Sequence, residues 1–236
     1  MKIAIIPARG GSKRIPSKNI KLFAGMPIIA RPIIAALESG CFDRVIVSTD
    51  DNKIAAIAEE YGAAVPFIRP RELADDFTPT IEVVAHAIDW LNKNYAHITY
   101  ACCIYATAPF LTAANLQRGF KVLKDTDAAY AFSVAEYPFP IQRALRITSC
   151  QRIEMFQSEH ATTRSQDLEP AWHDAGQFYW GKSQAWLARL PLFDSNSTPV
   201  ILSRRQVQDI DTPEDWELAE AMFVANEILN QRNTQG

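Results

Sequence analysis

The 236-residue chain is long for one average domain and short for two, and its 48% hydrophobic and 22% charged residues are ordinary for a globular protein and unlike a disordered one. A net charge of −3, from 24 basic and 27 acidic residues, offers no broad basic face for nucleic acid. Met1–Pro7 is too short an apolar run for a secretory signal, so a cytoplasmic protein with no membrane partner is expected, its four cysteines reduced.

Short β-branched runs alternate with stretches of helical period, which predicts βαβ units, a mostly parallel sheet and helices on both faces. Lys2–Pro7 reads as the first strand. Met26–Ser39 reads as a helix with Pro27 in its first turn and Gly40 past its end. Arg44–Thr49 is a second strand, Asp51–Tyr61 a helix stopped by Gly62, and Val65–Ile68 a short strand. Thr78 is placed to cap a helix that opens on Pro79 and carries Ile81, Val84, Ile88 and Leu91 on one face.

Thr99–Tyr105 reads as a central strand, Ala113–Lys124 as a helix and Ala128–Ala135 as a strand. Prolines at 138, 140 and 170 with no clean period mark residues 137–175 as an extended excursion from a single domain spanning 1–236. Gln177–Trp180 and Pro199–Leu202 return to strand character, and Thr212-Pro213-Glu214 opens a last helix reaching about Asn230.

The strongest local signal is Pro7-Ala8-Arg9-Gly10-Gly11-Ser12-Lys13-Arg14, followed by Lys18-Asn19, directly after the first strand. Adjacent glycines let backbone N–H groups turn inward around an anion, while Arg9, Lys13 and Lys18 supply the charge to neutralise a triphosphate. The loop matches neither G-x-x-x-x-G-K-[ST] nor G-x-G-x-x-G, which counts against ATPase and dinucleotide readings. A solvated basic turn is the bland alternative.

Near the other end stands Asp209-Ile210-Asp211. Alternation points both carboxylates one way, a donor pair suited to Mg²⁺ completed by phosphates and water. The bland alternative is an Asp that merely opens the last helix. Between the two motifs, Arg69 and Thr80 carry donors and an acceptor suited to a pyrimidine, though a loop and a helix cap explain them equally well. His86, His97, His160 and His173 show no spacing of a triad or a zinc site.

In these motifs, and in Val47-Ser48-Thr49-Asp50 and Arg69-Pro70, the chain resembles the cytidylyltransferases that activate sialic-acid-like sugars. The resemblance covers nearly the whole chain. It implies a Rossmann-like nucleotidyltransferase fold, CTP and an acidic nine-carbon sugar as partners, Mg²⁺ as cofactor, and a homodimer in which the excursion reaches towards the partner's site. Carried over by position, it makes Arg9, Lys13, Lys18 and Asp211 catalytic and Asp209 and Asp211 the metal ligands. CTP would be held by Ala8, Arg9, Gly10, Gly11, Ser12, Lys13, Lys18, Asn19, Arg69, Thr80 and Tyr105. The sugar would meet Gln142, Arg164, Gln177, Phe178 and Tyr179, with Arg164 matching a family arginine that can pair with a carboxylate.

Neuraminic-acid enzymes carry glutamine before P-T-S-P where this chain has Tyr105 before Ala106-Thr107-Ala108-Pro109, a lysine near Gln142, and N-G-A-I-Y-I where it has Asp174-Ala175-Gly176-Gln177-Phe178-Tyr179-Trp180. These exchanges are similar to the pseudaminic acid branch, and a sugar lacking the hydroxylated tail suits a more aromatic pocket. The rivals are the same reaction on N-acetylneuraminic or legionaminic acid and, more distantly, a metal-dependent glycosyltransferase or a non-catalytic nucleotide sensor.

Overall fold

The computed structural model describes residues 1–234. In chain order come β1 (Lys2–Pro7), a hairpin of β2 (Leu22–Phe23) and β3 (Met26–Pro27), α1 (Ala30–Glu38), β4 (Arg44–Ser48), α2 (Asn52–Glu60) and α3 (Thr80–Asn94). β5 (Tyr100–Ile104), α4 (Ala113–Asp125) and β6 (Tyr130–Glu136) follow, then an arm holding β7 (Leu145–Ile147) and β8 (Ile153–Met155). β9 (Trp172–Lys182), α5 (Ser183–Leu187), β10 (Ser197–Ile201) and α6 (Pro213–Thr234) complete the chain.

The main sheet has six strands in the order β10, β6, β9, β5, β1, β4. β1 pairs in parallel with β4 and β5, and β10 with β6, whereas β9 runs antiparallel to both β5 and β6. Side chains alternate across a strand, so each strand feeds two cores. Ala4, Ile6, Val45, Val47, Cys102 and Ile104 pack with α1, α2 and α4 on one face. Ile3, Ile5, Ile46, Ala101 and Cys103 pack with α3 and α5 on the other. Burial on both faces is why these strands read as continuous apolar runs. All four cysteines are free, and burial pushes the Cys103 thiol up, away from reactivity.

Several boundaries differ from the sequence reading for local reasons. Met26 and Pro27 pair with Leu22 and Phe23 across a turn at Ala24 (φ 44°) and Gly25 (φ 89°), the two positive φ values a tight hairpin needs, so the helix starts at Ala30. The expected strand at 65–68 is reduced to the isolated bridges Ile46 to Ala64 and Thr49 to Ile68, with Pro66 removing a donor between them. α3 starts at Thr80, one residue after Pro79, and the Thr78 hydroxyl donates instead to Asp75. β9 begins at Trp172, so residues 172–175 of the expected excursion belong to the sheet.

Gly181 of β9 leaves room for two aromatic rings. A Cβ there would collide with Trp186 Nε1 and lie 2.6 Å from Tyr130 Cδ1. The indole N–H donates to the Ala101 carbonyl at 3.2 Å, so displacing the ring breaks that bond as well. Gly181→Ala should therefore cost about 3 kcal/mol. A thermal melt should show Tm falling by roughly 5–10 °C; an unchanged melt would mean the two rings are free to move.

Candidate active site

A cavity of about 410 Å³ opens where β1, β4 and β5 end, the edge at which open α/β sheets take ligands. Arg9 and Ser12 enter it from the loop after β1, and Tyr105, Ala106 and Thr107 from the end of β5. The Ala8 N–H donates to the Ser48 carbonyl at 2.9 Å and the Gly10 N–H to Asp50 Oδ1 at 3.0 Å, tying the loop to the end of β4. Gly10 sits so close to Asp51 that a Cβ would lie 2.7 Å from Oδ2. That contact calls for glycine on steric grounds.

Ser17 adopts a left-handed φ of 52° and leads into a 3-10 turn over Lys18–Ile20. The turn sends Lys18 and Asn19 into the cavity, and the Asn19 amide donates to the Arg9 carbonyl at 2.9 Å.

The C-terminal carboxylates reach this N-terminal loop through packing around Ile210. That side chain is buried with Ile15, Phe23, Ile28, Phe110 and Trp216, and Asp209 and Asp211 on either side of it both line the cavity. α6 is capped without Asp211: the Thr212 hydroxyl accepts from the Asp215 N–H at 3.2 Å, while the Asp215 carboxylate takes the Asp211 and Thr212 N–H groups. The Asp211 carboxylate instead meets Lys18 Nζ at 3.4 Å and Arg14 Nη1 at 2.9 Å. Desolvation, and next the neighbouring charge of Asp211, push the Asp209 carboxyl up. Two carboxylates that repel each other beside a basic loop fit a cation that takes few protein ligands and several phosphate and water oxygens, as Mg²⁺ does. Among the described residues no group of three or more His, Cys, Asp and Glu is placed to hold a metal ion by itself.

Arg69 is 4% exposed and forms one wall. Its Nε donates to Ser48 Oγ at 3.2 Å, Nη1 to the Leu73 carbonyl at 3.3 Å and Nη2 to the Ser48 carbonyl. Burial lowers its pKa to about 10, which leaves it charged at neutral pH. The Tyr105 ring packs at a tilt on Tyr179, centroids 5.3 Å apart, and the Tyr179 hydroxyl donates to Asp174. Burial raises the pKa of both phenols, so they act as neutral hydrogen-bonding groups.

The cavity thus gathers Arg9, Ser12, Lys18, Asn19, Arg69, Thr80, Tyr105, Asp209 and Asp211 of the sequence-predicted set. Ala8, Gly10, Gly11 and Lys13 belong to its loop but not to its lining. The expected sugar residues lie elsewhere. Phe178 is fully buried against Gly119, Tyr179 is 2% exposed behind Tyr105, and Gln177 is buried with its amide donating to the Gln206 carbonyl. Arg164 pairs with Asp167 on the arm at 2.7 Å, and the Gln142 amide donates to the Glu169 carbonyl at 2.9 Å. Sequence reasoning missed Asp75, Asp76 and Thr107, since two adjacent acids in a polar loop carry no signal of their own. A larger cavity, about 530 Å³ and lined by Met26, Arg31, Phe110 and Phe223, contains none of the predicted site residues, and the chemistry argues for the smaller one.

An α/β sheet with a glycine-and-cation loop after its first strand and paired carboxylates across the same cleft defines a nucleotidyltransferase-type site. The cytidylyltransferase family model matches residues 3–215, and the chain belongs to that family. It is 42% identical over 224 residues to the pseudaminic acid cytidylyltransferase of Campylobacter jejuni serotype O:2, covering 95% of this chain and 97% of that one. The CMP-N,N'-diacetyllegionaminic acid synthase of Legionella pneumophila is 32% identical over 232 residues, covering 95% and 97%. A structure of CMP:2-keto-3-deoxy-manno-octonic acid synthetase complexed with CTP superposes with a TM-score of 0.67 at 16% identity, over 95% of this chain and 99% of that one, and shares the fold.

Proposed function

We propose that this enzyme transfers CMP from CTP to the anomeric hydroxyl of pseudaminic acid, giving the CMP-sugar and pyrophosphate. The observation that carries the reaction is the meeting of Lys18, Asp209 and Asp211 with the Arg9–Ser12 loop in one cavity. The sugar rests on the 42% identity to a pseudaminic acid cytidylyltransferase over 95% of the chain.

In this reading the side chains of Arg9, Ser12 and Lys13 hold the β- and γ-phosphates, and Lys18 stabilises charge growing at the α-phosphate. The sugar hydroxyl gives its proton to solvent as its oxygen bonds to the α-phosphorus, the bond to the bridging oxygen breaks and pyrophosphate leaves, with no protein nucleophile. Asp209 and Asp211 would hold Mg²⁺, which supplies further charge neutralisation on the phosphate oxygens. Three of the five Arg69 N–H donors are spent on Ser48 and Leu73, leaving two for the base beside Asn19 and Thr80. Tyr105 stays protonated and binds rather than abstracting a proton, and Tyr179 backs its ring.

The enzyme works as a homodimer, in this proposal, in the cytoplasm. Phe139, Ile147, Ile153 and Phe156 on the arm are 64–79% exposed, an apolar set that a second copy would cover. Among the described residues no helix is long and apolar enough to cross a membrane.

Pyrophosphate release with CTP and each of pseudaminic, legionaminic and N-acetylneuraminic acid tests the acceptor. Pseudaminic acid should give the highest kcat/KM, by at least about tenfold. A higher value with either of the others would overturn the choice of sugar and leave the reaction standing.

A further inference from the structure

Residues 75–78 form a small preset turn at the mouth of the cavity. The Asp75 carboxylate accepts from the Phe77 N–H at 2.9 Å, the Thr78 N–H at 2.7 Å and the Thr78 hydroxyl at 2.7 Å. The Asp75 carbonyl accepts from Arg9 Nη1 at 2.6 Å. So fixed, the turn presents Asp76 to the glycine loop, where its carboxylate meets Arg9 Nη1 at 2.7 Å and Lys13 Nζ at 2.5 Å. The hydrogen bond from Lys13, aided by Arg9, holds the Asp76 carboxyl below its usual range, so it is ionised at neutral pH.

These are the two cations assigned above to the phosphates. A carboxylate and a polyphosphate that claim the same donors repel each other and exclude each other from them. We propose that Asp76 is an internal counter-ion of the phosphate site: nucleotide displaces it from Arg9 and Lys13, and it recaptures both cations as pyrophosphate departs. Its expected consequence is a lower affinity for both CTP and pyrophosphate than the cations alone would give, which favours turnover over product retention. The inference rests on the nucleotide reading of this cavity.

Calorimetric titration of the wild-type protein and Asp76→Asn with CTP, pyrophosphate and inorganic tripolyphosphate tests it. Asp89→Asn serves as the control, because it removes one carboxylate and one surface ion pair, with Lys93, away from the cavity. Asp76→Asn should bind all three ligands roughly three- to tenfold more tightly, with Asp89→Asn matching the wild type. Unchanged or weaker binding of tripolyphosphate and pyrophosphate by Asp76→Asn would overturn the proposal. A wild-type protein that binds tripolyphosphate but shows no preference for CTP would sink the nucleotide reading instead, with the tripolyphosphate arm still deciding the role of Asp76. A thermal melt of each variant confirms folding, which exposed ion pairs barely influence.

Discussion

Asp211→Asn should lower kcat by about a thousandfold, a loss in the range of removing a group that stabilises charge in the transition state. The carboxylate is the meeting point of the two ends of the chain: it reaches Lys18 at 3.4 Å and Arg14 at 2.9 Å, and shares the cavity with Asp209. Its side chain is 39% exposed, and α6 is capped by Thr212 and Asp215, so the substitution should leave the melting temperature nearly unchanged. Asparagine keeps the shape and removes the charge that a divalent cation requires. Steady-state turnover across an Mg²⁺ series reads the effect. Near-normal Mg²⁺-dependent activity in the variant would remove Asp211 from the metal site.

The second large effect is expected at Lys18. Its side chain is 17% exposed and points along the cavity towards Asp211, held by the turn that Ser17 starts. Lys18→Ala should reduce kcat about a hundredfold or more while KM for CTP changes much less, because charge at the α-phosphate grows only as the transition state is approached. The contrast between kcat and KM makes the test specific. A raised KM with kcat intact would give Lys18 a binding role alone, and a large fall in melting temperature would give it a structural one. Lys18→Arg, which keeps the charge on a bulkier fork, should retain part of the rate.

Those two residues stand out in the sequence because each sits in a local pattern, although a solvated turn and a helix start share the same residue types. Lys18 follows a glycine loop after an apolar strand, and Asp209 and Asp211 flank an isoleucine whose burial forces both outward. β1, α2 and α4 were equally plain, since a continuous apolar run, an Asp51 cap and a Thr112 cap are written locally. β9 was harder: its antiparallel course between β5 and β6 depends on chain path, which period-2 alternation does not encode. The β2–β3 hairpin hid in the Ala24-Gly25 turn because alanine rarely takes positive φ.

The sugar side was the least legible. Phe178 and Tyr179 share an aromatic run, yet the first packs in the core and the second stands behind Tyr105. An aromatic residue in a central strand carries the same pattern whether it meets a ligand or the core. Gln142 and Arg164 ride on the arm, where their partners are the arm residues Glu169 and Asp167, and an irregular segment carries no period from which those pairings could be read. Asp76 was invisible for another reason: its role comes from what lies across the cavity, 63 residues away in sequence at Lys13.

The central claim is transfer of the α-phosphate group with its nucleoside. CTP labelled at the α- or the γ-phosphorus, incubated with pseudaminic acid and Mg²⁺, tests it most directly. The α-label should appear in the sugar product and the γ-label in pyrophosphate, in equal amounts. A γ-label on the sugar, or no labelled sugar product at all from CTP, would contradict the account.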